Sequence, residues 1–157
     1  MNSAVTAAPK TRSDYVEIAS FYLGDVLLGL PIDQVEEMNH HFNLTPVPQA
    51  PQCVRGVMNL RGNVVTVIDL RVILGLEPTV ITRQTCNVVV SSRDEQIGIL
   101  TDRVGDVVRT RWSSIEPPPA NVVGSDGRYF RGVCRLDHEL LILLDVEQLL
   151  AAEASAR

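Results

Sequence analysis

The sequence predicts an all-β chain built from two copies of one small five-stranded barrel unit, with short helices that include a C-terminal one. Three observations carry this. Short runs of valine, isoleucine and leucine recur along the chain, punctuated by glycine, proline, asparagine and aspartate, the texture of many short strands. Helix signals are few and brief. Finally, the chain repeats itself. Val54-Arg55-Gly56-Val57-Met58-Asn59-Leu60, followed by Val67-Ile68-Asp69-Leu70, matches Phe130-Arg131-Gly132-Val133-Cys134-Arg135-Leu136, followed by Leu143-Leu144-Asp145-Val146, 76 residues on (Arg55 to Arg131). Leu28-Gly29-Leu30 with Asp33-Gln34-Val35 matches Ile97-Gly98-Ile99 with Asp102-Arg103-Val104, 69 residues on (Gly29 to Gly98). The difference falls in the segment carrying Pro117, Pro118 and Pro119, where an insertion costs little because loop closure varies slowly with length. Each copy spans roughly 60 to 70 residues, about what a small barrel needs to remove its edges.

In chain order, residues 1–13 are small, polar and unpatterned, and read as a flexible lead. Strands are expected at Tyr15 to Leu23, Val26 to Leu30, Val64 to Leu70, Asn87 to Ser91, Gln96 to Leu100, Val104 to Thr110, Phe130 to Leu136 and Leu140 to Leu144. The stretch Pro31, Ile32, Val35, Glu36, Met38 reads as one short helix or a bent strand, and Val146 to Glu153 as the C-terminal helix. Gly24-Asp25 and Arg61-Gly62-Asn63 read as hairpin turns. The folded unit is placed at 14–152, as approximate lobes 14–83 and 84–152, with a second flexible tail at 153–157.

Composition narrows the function. The 157 residues are 45% hydrophobic and 21% charged, values of an ordinary globular chain rather than a disordered or fibrous one. A formal net charge of −5 gives no electrostatic reason to bind nucleic acid or anionic membrane. No run reaches the roughly 18 apolar residues of a membrane helix, and no secretory h-region follows the N-terminus. Cys53, Cys86 and Cys134 are odd in number and lack CxxC spacing, which fits free, buried thiols in a reducing cytoplasm.

Chemistry is sparse. His40 and His41 are adjacent, point to opposite faces if in a strand, and have no third ligand at zinc spacing, so solvated loop histidines is the stronger reading. His138 falls in a turn by the repeat. Asp69 and Asp145, one per copy at a strand end, read as caps of the helical turns that follow rather than as a catalytic carboxylate pair. A small metal-dependent hydrolase using these groups is the opposing reading. Trp112 reads as a loop anchor rather than a recognition aromatic. Arg55-Gly56 and Arg61-Gly62 stand evenly between solvated turn charges and arginines presented to a partner. Gly29, Gly56, Gly98 and Gly132, inside apolar strands, suggest bulges or close backbone approach. No nucleophile elbow, P-loop or dinucleotide fingerprint occurs.

The run from Gly56 to Arg71, Gly-Val-Met-Asn-Leu-Arg-Gly-Asn-Val-Val-Thr-Val-Ile-Asp-Leu-Arg, resembles the signature of the CheW-like family, coupling proteins of bacterial chemosensory pathways. The likeness extends over the segments Leu30 to Met38, Ile97 to Val104 and Ile142 to Leu150, in family order from about residue 14 to 151. It implies two SH3-like five-stranded barrels around a shared core, no enzymatic activity and no cofactor. It also implies partners: the cytoplasmic tip of chemoreceptors, the regulatory domain of a CheA-type histidine kinase, and other CheW-like proteins in rings. The chain would be cytoplasmic and recruited to the inner face of the membrane through receptor arrays. By motif, Val35, Glu37, Gly56, Arg61 and Gly98 would line the receptor-facing groove, with Glu37 as charge partner of Arg61. Kinase contacts would use exposed apolar barrel ends, with Val64 to Val67 or the Gly24-Asp25 loop as candidates. A coupling protein of a related system governing twitching motility or biofilm formation is the alternative within the same fold.

Overall fold

The computed structural model describes residues 14–119 and 124–156. The strands are β1 Tyr15–Leu23, β2 Val26–Pro31, β3 Val35–Asn39, β4 Val54–Leu60, β5 Asn63–Asp69, β6 Cys86–Ser92, β7 Glu95–Thr101, β8 Arg103–Arg111, β9 Phe130–Arg135 and β10 Leu140–Leu144. Helices α1 Leu70–Ile73 and α2 Val146–Ala156 follow β5 and β10, and 3-10 turns lie at Ile32–Gln34, Trp112–Ser114 and Gly124–Tyr129. The expected strands appear within one or two residues of their bounds.

Three readings change. The ambiguous segment after Pro31 resolves into both of its alternatives in succession, a 3-10 turn and then β3. β4 was not among the expected strands: Gly56 and the adjacent Val57 and Met58 break the apolar alternation of its sequence, although past the bulge between Val54 and Gly56 the positions Gly56, Met58 and Leu60 alternate as buried. Helix α2 runs on through Ala156, so the tail expected at 153–157 is helical as far as that residue. The flexible lead expected at 1–13 lies outside the described residues.

Two five-stranded sheets form, ordered β8-β1-β2-β10-β9 and β3-β6-β7-β5-β4. The repeat maps one order onto the other strand by strand, and the parallel pairing Leu143↔Gly29 of the first sheet becomes Val67↔Gly98 in the second. Yet each sheet takes strands from both halves of the chain, β1 and β2 joining β8 to β10, and β3 to β5 joining β6 and β7. The halves 14–83 and 84–152 are therefore copies of the repeat but not the two structural lobes. The chain crosses from one sheet to the other between β2 and β3 and again between β7 and β8.

Closure also follows the repeat. After edge strand β3 the chain swings back so that Thr45 exchanges two backbone hydrogen bonds of 2.9 Å with Val57 on the free side of β4. After β8, Glu116 does the same with Val133 on β9, at 2.9 and 2.8 Å. Gly56, at φ +150°, lies beneath this crossing, and a Cβ there would sit 2.6 Å from Thr45 O. The result is two small SH3-like barrels.

Three apolar clusters fill them. One lies inside the first barrel (Ile18, Leu27, Cys134, Leu141, Leu143) and one inside the second (Met58, Leu60, Val65, Val67, Val89). Cys134, Leu141 and Leu143 are the repeat counterparts of Met58, Val65 and Val67. The largest cluster joins the two sheets through Phe21, Leu30, Ile68, Val90, Ile99 and Leu144, sealed by Leu149 and Leu150 of α2. Each large aliphatic side chain so buried contributes about 1.5–3 kcal/mol. Cys86 belongs to this core, where burial pushes its thiol up to about 11, and Cys134 is also buried; Cys53 is only half-buried.

Candidate functional site

Four register pairs place Glu37, Val89, Gly98, Val67 and Gly56 on a single rung running across the second sheet from β3 to β4. Three of the five sequence-predicted site residues thus share one row, although 61 residues of chain separate Glu37 from Gly98. A fourth, Arg61, joins them through its side chain. The β4–β5 connection has two residues, Arg61 at φ +53° and Gly62 at φ +91°, both in the left-handed region that a tight hairpin of this twist requires. Asn59 Oδ1 accepts from Gly62 N at 2.9 Å and braces the turn. From it Arg61 reaches across the barrel mouth, where Nη2 lies 2.9 Å from Glu37 Oε1. The other carboxylate oxygen of Glu37 accepts from Asn39 Nδ2 at 2.8 Å. The Arg61 side chain is 81% exposed and that of Glu37 20%, so the pair presents a fixed guanidinium to the outside.

Gly56 and Gly98 are placed differently from what the motif implied. Both are buried, and the space a side chain would need is filled from within the chain, by the Thr45 backbone and by the Asn87 side chain. They shape the wall from inside. Val35, the fifth residue, is half-buried at the start of β3 opposite Val90.

Two openings lie between the edge strand β8 and the segments that flank the other edge strand, β3. One cavity, at the start of β3 and the end of β8, is lined by Tyr15, Glu17, Ile32, Asp33 and Arg109. A larger cleft of about 1010 Å³, at the end of β3 and the start of β8, is lined by His40, His41, Arg83, Arg103 and Val104 among others. Ile32, Val104 and Val107 are 42, 37 and 57% exposed. These openings exist only because the chain crosses between sheets at both strands.

The other candidates resolve into structure. Asp69 caps α1, accepting from Arg71 N at 3.1 Å, and is also the centre of a buried network. It takes Thr79 Oγ1 at 2.7 Å, Thr79 N at 2.9 Å and Arg55 Nη1 at 2.8 Å, with no exposed surface. Arg55 is thus an internal brace, neither a solvated charge nor a presented one. Asp145 accepts from Gln148 N at 3.2 Å, the capping role expected. His40, His41 and His138 are exposed, and Trp112 packs against the first barrel's interior cluster under the Arg131 guanidinium. Among the described residues no group of three or more His, Cys, Asp or Glu is placed to hold a metal, and no helix is long and apolar enough to cross a membrane.

Sequence reasoning missed Asn39 and Asn59, which brace Glu37 and the Arg61 turn locally, and Asn87, whose role depends on which strands lie side by side. It also missed Asp102, which the repeat pairs with Asp33. Its carboxylate accepts from Arg71 Nε and Nη2 at 3.1 and 2.8 Å and from Gly24 N at 2.6 Å. The Arg71 hydrogen bonds hold its pKa below the usual aspartate value. Asp102 thereby ties α1 and the β7–β8 crossing to the β1–β2 turn of the other barrel.

Comparison with known proteins accords with this geometry. The family model described as CheW-like domain matches residues 17–154. The chain is 33% identical over 140 residues to a chemotaxis protein CheW of Klebsiella aerogenes, covering 89% of this chain and 84% of that protein. It is 31% identical over 138 residues to Protein FrzA of Myxococcus xanthus, covering 85% and 84%. Its backbone resembles the crystal structure of the scaffolding protein TtCheW from Thermoanaerobacter tengcongensis, with a TM-score of 0.76 and 27% identity over 83% of this chain and 88% of that one.

Proposed function

The chain belongs to the CheW-like family, and from that premise we propose that it is a non-catalytic adaptor coupling chemoreceptors to a CheA-type histidine kinase in a bacterial chemosensory array. The observation that supports this reading most is the Arg61–Glu37 pair, which joins the signature run to the Leu30 to Met38 segment and displays an arginine on a braced turn. A pre-ordered guanidinium loses little side-chain entropy on binding and suits recognition of a partner. A helical segment of a receptor tip would lie between β3 and β8, where Ile32, Val104 and Val107 are exposed apolar contacts, with Val35 and Glu37 on the β3 side.

The kinase's regulatory domain would meet an exposed barrel end. Val64, 73% exposed, and Val47, 41% exposed, border an apolar cavity of about 560 Å³ with Pro48, Pro51 and Val57, at the end of the second barrel. That surface favours Val64 over the Gly24-Asp25 loop, whose Gly24 N–H is already engaged by Asp102. The adaptor would act in the cytoplasm, held at the inner membrane face by its receptors. The similarity to Protein FrzA favours the related-system alternative as a second reading, in which the same surfaces serve a different receptor.

Titration of isotope-labelled protein with the regulatory domain of a CheA-type kinase from the same organism, followed on backbone amides, tests the reading. Saturable shifts clustered around Val64 are expected. Absence of shifts with both the kinase domain and a receptor-tip fragment would remove it.

A further inference from the structure

The cleft at the end of β3 and the start of β8 runs against the charge of the molecule. The chain carries a net charge of −5, yet His40, His41, Arg83 and Arg103 converge on one opening. Among the described residues none of the four makes an ion pair or a side-chain hydrogen bond. The nearest carboxylate in sequence, Asp102, is already committed to Arg71 and Gly24. Glu139, close to Arg103 through Tyr22, accepts from the Tyr22 hydroxyl at 3.1 Å.

Arg103 has a side-chain support, and Arg83 stands on a braced backbone turn. The Arg103 guanidinium stacks over the Tyr22 ring at 3.7 Å, which orients the plane and leaves its N–H edge uncommitted. Arg83 sits at the tip of a turn closed on both sides, Thr85 N donating to Thr82 O at 3.2 Å, Thr82 N to Thr85 Oγ1 at 2.8 Å and Gln84 N to Thr82 Oγ1 at 3.1 Å. Thr85 is buried, so the turn is anchored to the barrel. Arg103 feels the Asp102 carboxylate but, like Arg83, has no ion pair or side-chain hydrogen bond among the described residues, so both guanidinium forks are open to an external anion, and such planar forks match carboxylates.

We propose that this cleft is an acidic-side-chain subsite: it receives Asp or Glu carboxylates of the protein segment that docks between β3 and β8, and so fixes that segment's direction and selects among partners. The inference rests on the adaptor reading for the identity of the docked segment. A neutral or basic residue at the same place would leave two arginines facing it unpaired, which is how such a site discriminates.

The test uses the full chain and a soluble fragment carrying the cytoplasmic hairpin of a chemoreceptor from the same bacterium. Affinity is measured at low and at high salt for the wild type and for the triple variant His40→Gln, His41→Gln, Arg83→Gln. Arg103 is left in place because its stack on Tyr22 belongs to the fold. The expected result is a loss of about tenfold at low salt, a flatter salt dependence, and unchanged affinity for the kinase regulatory domain. Equal affinity and equal salt dependence of variant and wild type would overturn the subsite while leaving the adaptor reading standing. A parallel loss of kinase affinity would also overturn it, since the effect would then not belong to this cleft. A wild type that bound neither partner would overturn both.

Discussion

The buried side-chain amide of Asn87 occupies the space above Gly98, so that a Cβ on Gly98 would collide with Asn87 Oδ1. Asn87 Nδ2 lies 2.9 Å from Met58 Sδ, which holds the amide inside the second barrel. Gly98→Ala should therefore destabilise the protein by about 1–3 kcal/mol through overpacking. Adding Asn87→Ala should recover much of that loss. Denaturant unfolding of the two single variants and the double variant checks it, and additive losses would sink the account.

Arg61 is a turn residue with little buried surface, and an exposed ion pair is worth about 1 kcal/mol at most. Arg61→Glu should leave the melting temperature nearly unchanged while weakening partner binding at least tenfold, because it sets a second negative charge beside Glu37. The exchange Arg61→Glu with Glu37→Arg restores opposite charges to the pair but presents the wrong sign outward. Binding should stay weak in that double variant, and recovery to the wild-type affinity would show that only the pair matters.

Asp69 has its carboxylate fully buried with four donors, from Arg55, Arg71 and Thr79. Asp69→Ala leaves the Arg55 guanidinium facing an apolar gap and unties the loop at Thr79, so a loss of about 3–5 kcal/mol is expected. Arg55→Ala should cost less, since the threonine and Arg71 donors remain. Thermal and urea unfolding of both variants decides; equal small losses would mean that the network adds little.

Asp102 links stability to pH. Its folded pKa is lowered by the Arg71 hydrogen bonds, with the Gly24 N–H assisting against partial burial, while the unfolded value is near 3.9. The charged form is favoured by folding, so its contribution is complete above about pH 5 and is lost as pH falls through the depressed folded value. Unfolding free energies measured between about pH 6 and pH 2 should fall more steeply for the wild type than for Asp102→Asn. Parallel curves would assign the acid sensitivity elsewhere.

Local chemistry made much of this protein legible. The turns at Gly24-Asp25 and Arg61-Gly62 sit where they were expected, because Gly24 and Gly62 adopt positive φ without steric cost. β1 and β10 have the predicted bounds, since apolar runs bounded by polar turns suffice to define them. The internal repeat gave two barrels of like order, and the signature gave Arg61 and Glu37 as partners, which the 2.9 Å contact bears out. The capping role of Asp145 followed from its place between strand and helix, as did half the role of Asp69.

What the repeat left open is which strands join which barrel. β2 pairs with β10 and β5 with β7, both in parallel, and parallel partners are brought together by long crossovers that leave no short-range trace in the chain. That exchange of strands is what sets β3 against β8 and brings His40 to Arg103. Period and turn chemistry are local and reside in the sequence; the openings between β3 and β8 and the cleft at Arg103 arise only when distant strands share a sheet, because a side chain's neighbours across a barrel are set by pairing and not by position along the chain.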